Sequence, residues 1–203
     1  MMPPAVAHPI LLSAVSNVLV EAPAGCGKTR EACLVAVHCA EQIGTHQEVL
    51  LLTHTNAALH VFRQRLTEFG ARRTRTMTID SFCLELLKPY AQRLELPVPL
   101  RTFGPGAVTF NRLAHAVVDL LTRSPSIARA LGLHYPVIIL DEHQDAREEQ
   151  HEIFRLIAAA SGARLRIFGD PMQAIYGFDG ERSVAWATLK AQADVEVRLE
   201  EPY

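Results

Sequence analysis

Five short runs of Val, Leu and Ile, separated by helical patterns, constrain the fold of this 203-residue chain more than any other feature. The runs span residues 18–20, 49–52, 137–140, 165–168 and 195–199. Runs this apolar predict strands that are buried on both faces. Strands that alternate with helices predict a parallel sheet, because parallel neighbours need a crossover and a helix usually makes it. The sequence therefore predicts an α/β fold.

Two helical patterns and one interruption complete the expected layout. Apolar residues recur on one helical face in two segments: Leu59, Phe62, Leu66 and Phe69, and then Ile153, Leu156, Ile157 and Ala160. Residues 89–135 break the alternation, because prolines and glycines between positions 97 and 106 separate further helical patterns. We expect a central parallel sheet flanked by helices, with a small helical insertion at 89–135.

Charge limits where a nucleic acid could bind. The net charge of −2 provides no global attraction to nucleic acid, so any such surface must be local. One basic cluster is present, formed by Arg63, Arg65, Arg72, Arg73 and Arg75. It indicates either a local nucleic-acid surface or a solvated helix end and turn.

Cysteine usage and the N-terminal sequence bear on the compartment. Cys26, Cys33, Cys39 and Cys83 form neither a CxxC pair nor a cluster with zinc spacing. They predict reduced thiols in a reducing, cytoplasmic compartment. The first residues lack a basic region, and the apolar run at 10–20 is short and interrupted, so we expect neither a signal peptide nor a membrane span.

Residues 17–29 have the order of a phosphate-binding P-loop: a strand, a loop of small residues and a helix start. The loop residues that would surround the phosphate are Ala22, Pro23, Ala24, Gly25, Cys26 and Gly27. Small residues let backbone N–H groups approach a phosphate, and the helix N-terminus adds partial positive charge. Lys28 is expected to reach the β and γ phosphates and Thr29 to bind Mg²⁺. Ala22 stands where the usual pattern has Gly, and the alternative is a chance Gly-rich turn.

A second candidate site follows the apolar run at 137–140. Asp141 and Glu142 come at its carboxyl end, where ligands bind in open α/β sheets. Asp141 suits a Mg²⁺ ligand, and Glu142 suits a group that orients and polarises an attacking water. The alternative is an acidic cap on the next helix, with Asp145 as the cap and Glu148 three residues later. Both interpretations are compatible.

Three sequence runs together resemble the UvrD/Rep helicases of superfamily 1. They are the loop 22–29, the run Asp141-Glu142-His143-Gln144-Asp145, and the run from Gly169 to Phe178, which reads GDPMQAIYGF. Weaker matches lie at 52–58 and 78–82, and the second is also similar to the RecB/AddA branch.

The resemblance implies a RecA-like P-loop NTPase domain, termed 1A, that binds ATP, Mg²⁺ and single-stranded DNA. Lys28, Glu142 and Gln173 would be its catalytic residues, with Gln173 sensing the γ-phosphate. Gln144 would belong to the nucleotide site. The activity implied is ATP-dependent DNA helicase or translocase activity, 3′ to 5′ by analogy.

The resemblance also implies a set of DNA-binding residues. Phe178 and Tyr176 would lie on the DNA side, with Phe178 stacking on a base unless it is a core aromatic. Thr53, Thr55 and Thr78 would contact phosphates. His54 stands where the family commonly has an aromatic residue, so it either stacks on a base or is a plain loop residue.

Three departures from the family pattern shape the expectation for the chain. No Gln that could read adenine precedes the P-loop between Met1 and Val20. Residues 89–135 would be a rudimentary form of the family's 1B insertion. The end resembles the start of the next motif, so we expect residues 1–203 to be domain 1A without the second RecA-like domain (2A), which would supply arginine fingers in cis or in trans. Such a fragment would hydrolyse ATP very slowly.

Two other functions fit the P-loop. One is a non-motor ATP-binding module that regulates a partner protein. The other is a P-loop phosphotransferase, which the run from Gln173 to Phe178 disfavours because a kinase has no need for it.

Overall fold

Six parallel strands form the centre of the protein. The computed structural model describes residues 7–23, 25–104, 106–173 and 183–199. The strands are β1 (Asn17–Glu21), β2 (Val49–Thr53), β3 (Thr74–Thr78), β4 (Val137–Leu140), β5 (Arg164–Gly169) and β6 (Val195–Arg198). Their order in the sheet is β3-β2-β4-β5-β1-β6, and every pairing is parallel. The predicted α/β class and the five predicted strands are confirmed.

Helices cover both faces of this sheet. They are α1 (Pro9–Leu12), α2 (Lys28–Gln42), α3 (Asn56–Glu68), α4 (Ile79–Leu87), α5 (Phe110–Arg123), α6 (Pro125–His134), α7 (Glu148–Ser161) and α8 (Trp186–Gln192). Side chains alternate along each strand, so Val49 and Leu51 pack with α1 to α3, whereas Leu50 and Leu52 pack with α4 to α8. Burial on both faces explains why the central strands read as unbroken apolar runs.

Strand β3 is the one strand of the six described that was not expected from the sequence. It reads Thr-Arg-Thr-Met-Thr and lies at the sheet edge, where only Met77 and Thr78 are buried. An edge strand is half solvated and therefore carries polar residues. The expectation of a helix end and turn is wrong for Arg75, which lies within β3 and pairs with Glu85 at 2.6 Å.

Two expectations at helix ends are also corrected. Phe69 does not belong to the buried face of α3, because the helix ends at Glu68 and Phe69 is 36% exposed. Asp145 does not cap α7, since the helix begins at Glu148 after the N-cap residue Arg147. Gln150 completes that helix start, where its Oε1 accepts a hydrogen bond from Arg147 N at 3.0 Å.

The expected helical insertion is present between α4 and β4. A 3-10 turn (Lys88–Tyr90) and an irregular stretch lead to α5 and α6, which pack against α7. Gly132 lies at the α6 crossing, where an added Cβ would stand 1.8 Å from Ser161 Oγ. The two helices therefore approach each other more closely than any larger residue would allow.

A buried arginine positions the segment that precedes β1. Arg166 in β5 is fully buried, and its guanidinium donates to the carbonyls of Leu11 at 2.7 Å, Ser13 at 2.8 Å and Val15 at 2.9 Å. Burial, with Arg164 nearby, lowers the pKa of Arg166 to about 10. These bonds satisfy the buried charge and hold the chain at the entry to β1.

Two further expectations concern cysteines and membranes. Cys26, Cys33, Cys39 and Cys83 are all buried and free. Over the ranges that the structure covers, no helix is both long and apolar enough to span a bilayer.

Candidate nucleotide and nucleic-acid sites

The predicted P-loop connects β1 to α2 at the carboxyl edge of the sheet. Gly25 and Gly27 have φ values of 83° and 77°, which glycine adopts readily and other residues rarely do. Ala22 N donates to Gly169 O at 3.0 Å, and Cys26 N donates to Pro23 O at 3.2 Å. The loop thus turns tightly beside the end of β5. Ala24 lies outside the described residues.

Lys28, the first residue of α2, points back into this loop. Its ammonium group is buried, donates to Ala22 O at 2.9 Å and lies 3.6 Å from Glu142 Oε1. Thr29 follows in the first turn of the helix and lines a cavity next to the loop, together with Lys28 and Glu142. The structure therefore brings together the predicted phosphate-binding lysine and the predicted water-orienting carboxylate, which are 114 positions apart in the sequence.

Asp141 follows β4 and is buried with one unsatisfied oxygen. Its Oδ1 has no hydrogen-bond partner among the described residues. Burial, and then the Glu142 charge, raise the pKa of Asp141 to about 7, whereas Lys28 and the Thr53 hydroxyl lower it. A divalent cation would be a partner for Oδ1, and its positive charge would stabilise the ionised form of Asp141. Asp141 thus fits the predicted role of a Mg²⁺ ligand, and Thr29 stays the other predicted oxygen donor.

Glu142 has a left-handed backbone, with φ 47° and ψ 43°. This conformation costs a non-glycine residue on the order of 1–3 kcal/mol and persists where surrounding contacts impose it. Gln144 Nε2 donates to Glu142 Oε2 at 2.9 Å, and Lys28 holds the other carboxylate oxygen. The carboxylate is therefore held towards the P-loop.

Gln144 also connects this carboxylate to the end of β5. Its Oε1 accepts a hydrogen bond from Asp170 N at 3.1 Å, and Asp170 Oδ2 accepts one from Gln173 Nε2 at 2.9 Å. Gly169 is needed here, because a Cβ would stand 2.7 Å from the Trp186 ring and 2.9 Å from Gln144 Oε1. Gln173 thereby lines the same cavity as Glu142.

The cavity beside the P-loop, which Lys28, Glu142 and Gln173 line, has a volume of about 460 Å³. Its lining includes Pro23, Gly25, Gly27, Lys28, Thr29, Glu142 and Gln173, all predicted from the sequence. It also includes Arg30 and Arg65, which were not predicted to belong to this site. Arg30 directly follows the P-loop threonine, and Arg65 ends a basic stretch of α3, so charge next to a P-loop was the available signal.

The predicted DNA-binding threonines have structural hydrogen bonds. The hydroxyls of Thr55 and Thr78 cap α3 and α4, where they accept from Ala58 N and Ser81 N, each at 3.1 Å. Thr53 is buried and its hydroxyl bonds to Asp141. All three stand at carboxyl ends of strands β2 and β3.

A second cavity, of about 240 Å³, opens beside those strand ends. It is lined by His54, Asn56, Thr78, Asp80, Ser81, Leu84, Thr102, Phe103 and Phe110. Phe103 is 79% exposed and meets the edge of Phe110 at 6.4 Å between ring centres. These two aromatics were not expected from the sequence, and Phe103 lies in the stretch rich in proline and glycine. Tyr176 and Phe178 lie outside the described residues.

His54 is half-buried in the wall of this cavity. Burial, and then Arg147, lower its pKa to about 4, so the ring is neutral at physiological pH. Its Nε2 has no hydrogen-bond partner within the described ranges. A neutral imidazole at the wall of a cavity with aromatic residues presents a flat, uncharged surface.

Comparison with known proteins agrees with this arrangement. The chain matches the model of the UvrD/REP helicase N-terminal domain over residues 6–104 and 101–193. It is 30% identical over 100 residues to an ATP-dependent helicase/nuclease subunit from Lactococcus lactis subsp. cremoris, covering 49% of this chain and 8% of that protein. It is 37% identical over 82 residues to the RecBCD enzyme subunit RecB of Escherichia coli, covering 38% of this chain and 7% of that protein.

Two further comparisons extend these findings. The chain is 30% identical over 99 residues to DNA helicase II of Haemophilus influenzae, covering 48% of this chain and 14% of that protein. In fold, it is similar to the Pif1 helicase from Candida albicans, with a TM-score of 0.54 and 15% identity over 96% of this chain and 38% of that one. The chain thus spans only a small part of the length of these curated relatives.

The parallel sheet, the P-loop after β1 and the Asp-Glu pair after β4 define a P-loop NTPase domain with a RecA-like fold. Within that class, the chain belongs to the UvrD/REP helicase N-terminal domain family. The suspected membership in the UvrD/Rep-like helicases, with RecB/AddA features, is confirmed.

Proposed function

We propose that this chain is the ATP-binding domain of an ATP-dependent DNA helicase or translocase that moves on single-stranded DNA, 3′ to 5′ by analogy with the family. The observation that carries the proposal is the ion pair between Lys28 and Glu142, 3.6 Å apart, in the wall of the cavity beside the P-loop. A phosphate chain in that cavity would meet the Lys28 cation and, next to it, a carboxylate that can orient water.

The nucleotide would be bound mainly through its phosphates. The P-loop backbone and Lys28 would hold the β and γ phosphates, and Arg30 and Arg65 add positive charge to the same cavity. Asp141 and Thr29 would hold Mg²⁺, which neutralises phosphate charge when bound. The residues between Met1 and Val20 contain no glutamine that could read adenine, so we expect weaker discrimination between ATP and GTP than such a residue would give.

Hydrolysis would depend on Glu142 and Gln173. Glu142 would accept a hydrogen bond from the attacking water and align it with the γ-phosphate. Gln173, tied to Asp170, would contact the γ-phosphate and respond to its loss. Gln144 connects both residues through its hydrogen bonds to Glu142 and Asp170. Cleavage of the γ-phosphate bond beside Glu142 would therefore change the contacts at the end of β5.

DNA would bind at the carboxyl ends of β2 and β3. The cavity beside His54 has hydroxyls for phosphates and exposed aromatic surface for bases, which is the combination that single-strand binding uses. We extend the predicted set, which includes Phe178 and Tyr176, to Phe103. Residues 89–135 would be a rudimentary 1B region, since Phe103 and Phe110 bring it next to the strand ends.

A second RecA-like domain, in cis or in trans, would complete the nucleotide site. In related phosphoryl-transfer enzymes an arginine supplied from outside the P-loop domain stabilises the charge that develops during transfer. We further propose a reducing, cytoplasmic environment, in keeping with four buried, free cysteines.

The first prediction tests nucleotide binding. Lys28→Ala removes the buried ammonium group that would meet the β and γ phosphates, so we expect a large loss of Mg-ATP affinity with the fold intact. Titration with a fluorescent ATP analogue measures the affinity, and circular dichroism checks the fold. Lys88→Ala, at an exposed lysine, is the matched control. Equal affinities for the Lys28 and Lys88 variants would refute the P-loop assignment.

The second prediction tests the DNA surface. Phe178→Ala and Phe103→Ala should each weaken oligo-dT binding by about 1–3 kcal/mol if the rings stack on bases. Fluorescence anisotropy at two salt concentrations measures the affinity, which should fall with salt through the phosphate contacts. Phe69→Ala, an exposed phenylalanine outside the His54 cavity, is the control. An unchanged affinity in either aromatic variant would remove that residue from the surface.

A further inference from the structure

A chain of two hydrogen bonds runs from the residue after Glu142 to helix α8. His143 is fully buried, and its Nε2 lies 3.0 Å from Nδ1 of His151 in α7. His151 is buried as well, and its Nε2 lies 2.7 Å from Oε1 of Gln192 at the end of α8. None of these three residues lines the nucleotide cavity.

The partners determine which nitrogen of each ring carries hydrogen. The Gln192 oxygen only accepts, so His151 Nε2 must donate, and the neutral ring then leaves Nδ1 as an acceptor. His143 Nε2 therefore donates to it, and His143 Nδ1 is left without hydrogen. His143 Nδ1 is indeed one of the buried atoms without a hydrogen-bond partner in the described part of the chain. Burial lowers the pKa of both histidines, in keeping with neutral rings.

This chain of bonds bears directly on the backbone of Glu142. The 3-10 turn His143–Asp145 follows the left-handed Glu142 at once, and Asp145 N donates to Glu142 O at 3.1 Å. A fixed His143 ring limits where the adjoining Glu142 peptide can move. The α8 segment adds a second tie, because Val184 N donates to Ala146 O at 2.7 Å. The turn is thus held from both α7 and the segment that enters α8.

We propose that His151 is a positioning residue of the nucleotide site, which holds the His143 ring and thereby the strained backbone that aims the Glu142 carboxylate. The inference rests on the proposed role of Glu142 in hydrolysis. His151 does not touch the nucleotide, so its loss should reduce the rate of hydrolysis much more than the affinity for Mg-ATP. The bond from His143 is the one that matters for this role, and the bond to Gln192 orients the His151 ring.

Two substitutions separate these bonds. In His151→Asn the amide oxygen stands near the place of Nδ1 and accepts from His143, while the bond to Gln192 is lost. In His151→Gln the amide nitrogen stands near the place of Nε2 and donates to Gln192, while the bond from His143 is lost. His151→Phe removes both bonds and keeps a ring. His60→Gln, at an exposed histidine of α3, is the control for the substitution itself.

The measurement is single-turnover ATP hydrolysis by residues 1–203 in excess over labelled Mg-ATP, with the affinity determined separately. A positioned general base contributes roughly 10²–10⁴-fold, and we expect His151→Gln and His151→Phe to lose at least about tenfold of that. The affinity should change less than about twofold, and His151→Asn should stay near the wild-type rate. Equal rates in His151→Asn and His151→Gln, or a wild-type rate in both His151→Gln and His151→Phe, would overturn the inference.

Two references separate failure of this inference from failure of the proposed function. If Glu142→Gln hydrolyses ATP as fast as the wild type, the role of Glu142 is wrong and the positioning role falls with it. Long-range ¹H–¹⁵N spectra of the histidine rings test the bonds without any hydrolysis. Both rings should appear as Nε2–H tautomers in the wild type, and the His143 signal should change in His151→Gln but little in His151→Asn. Another tautomer at either ring would overturn the inference by itself.

Discussion

At the scale of single residues, this protein buries polar groups, which costs free energy unless a partner or a change of protonation offsets it. Arg166 finds its partners in four carbonyls of the segment before β1. Asp141 has an oxygen without a hydrogen-bond partner and a raised pKa, and both fit its proposed role as a cation ligand. His54 and His143 are neutral because burial disfavours their charged forms. Such groups make stability depend on pH.

The third prediction concerns His54 and acid. The pKa of His54 is about 4 in the folded protein and about 6.5 in the unfolded chain, so the unfolded chain binds the proton first as pH falls. The stability associated with the neutral ring is complete above pH 6.5 and is lost as pH falls towards 4. The loss at pH 4.5 is on the order of 2–3 kcal/mol.

His54→Phe should therefore reduce the stability lost between pH 7 and pH 4.5 by about that amount. Urea denaturation at the two pH values measures it. Some loss should remain, because His143 and His151 are also buried and neutral. His60→Phe, at an exposed histidine, should keep the wild-type difference. An equal loss in the His54 variant and the wild type would show that this ring is hydrated in solution.

At the scale of elements, the arrangement depends on where helices approach the sheet and one another. The sheet order places β1 and β4 on either side of β5, so the P-loop and the Asp141-Glu142 pair face each other across the end of β5. Gly169 ends β5 with room for Gln144 and Trp186 against its Cα. Gly132 serves the same purpose where α6 crosses α7. In both places the absence of a side chain sets the distance between elements.

The fourth prediction concerns the α6–α7 crossing. Ala is a better helix former than Gly by about 1 kcal/mol, yet Gly132→Ala should destabilise the protein by about 1–3 kcal/mol through overpacking. The new Cβ would meet Ser161 Oγ at 1.8 Å and Ser161 Cβ at 2.5 Å. Adding Ser161→Gly should relieve part of this loss. Thermal denaturation of both single variants and the double variant gives the coupling, and purely additive effects would rule out the clash.

At the scale of the whole molecule, the described residues place the candidate phosphate, metal and DNA sites on one edge of one sheet. Nucleotide and DNA would therefore contact the same row of strand ends. The polar path through Gln144 and the bond between Thr53 and Asp141 join the two regions. A motor needs such a connection, since cleavage of ATP must change the grip on DNA.

The fifth prediction concerns turnover. We expect residues 1–203 to bind Mg-ATP but to hydrolyse it slowly, with little stimulation by DNA. In related enzymes, an arginine supplied from outside the P-loop domain raises the rate of hydrolysis about 10³–10⁵-fold. Phosphate release with and without oligo-dT measures this. A longer form that includes a second RecA-like domain should show DNA-stimulated turnover, which Glu142→Gln in that form should abolish. Brisk, DNA-stimulated hydrolysis by residues 1–203 alone would show that the site is already complete.

The sequence alone was sufficient for the fold class, five of the six strands and the family. Buried strands and P-loops depend on local patterns: an unbroken run such as 137–140, or small residues before Lys28 and Thr29. These patterns are readable because burial on both faces and close approach to a phosphate each permit few residue types. The edge strand β3 has one solvated edge and so lacks such a pattern. Its polar sequence concealed it, so Arg75 was interpreted only as a member of a basic cluster.

What only the tertiary structure decided is which distant residues meet. Arg65 lies in α3 and His151 in α7, and neither carries a motif that would assign it to the nucleotide site or its support. Their proposed roles follow from helix packing, which brings Arg65 to the cavity beside the P-loop and His151 within 3.0 Å of His143. Likewise, the exposed Phe103 becomes a candidate DNA-binding residue only because it lines one cavity with His54 and Phe110. Local sequence determines strands and loops because their constraints are short-range, whereas a site formed by several crossovers depends on contacts between residues far apart in the chain.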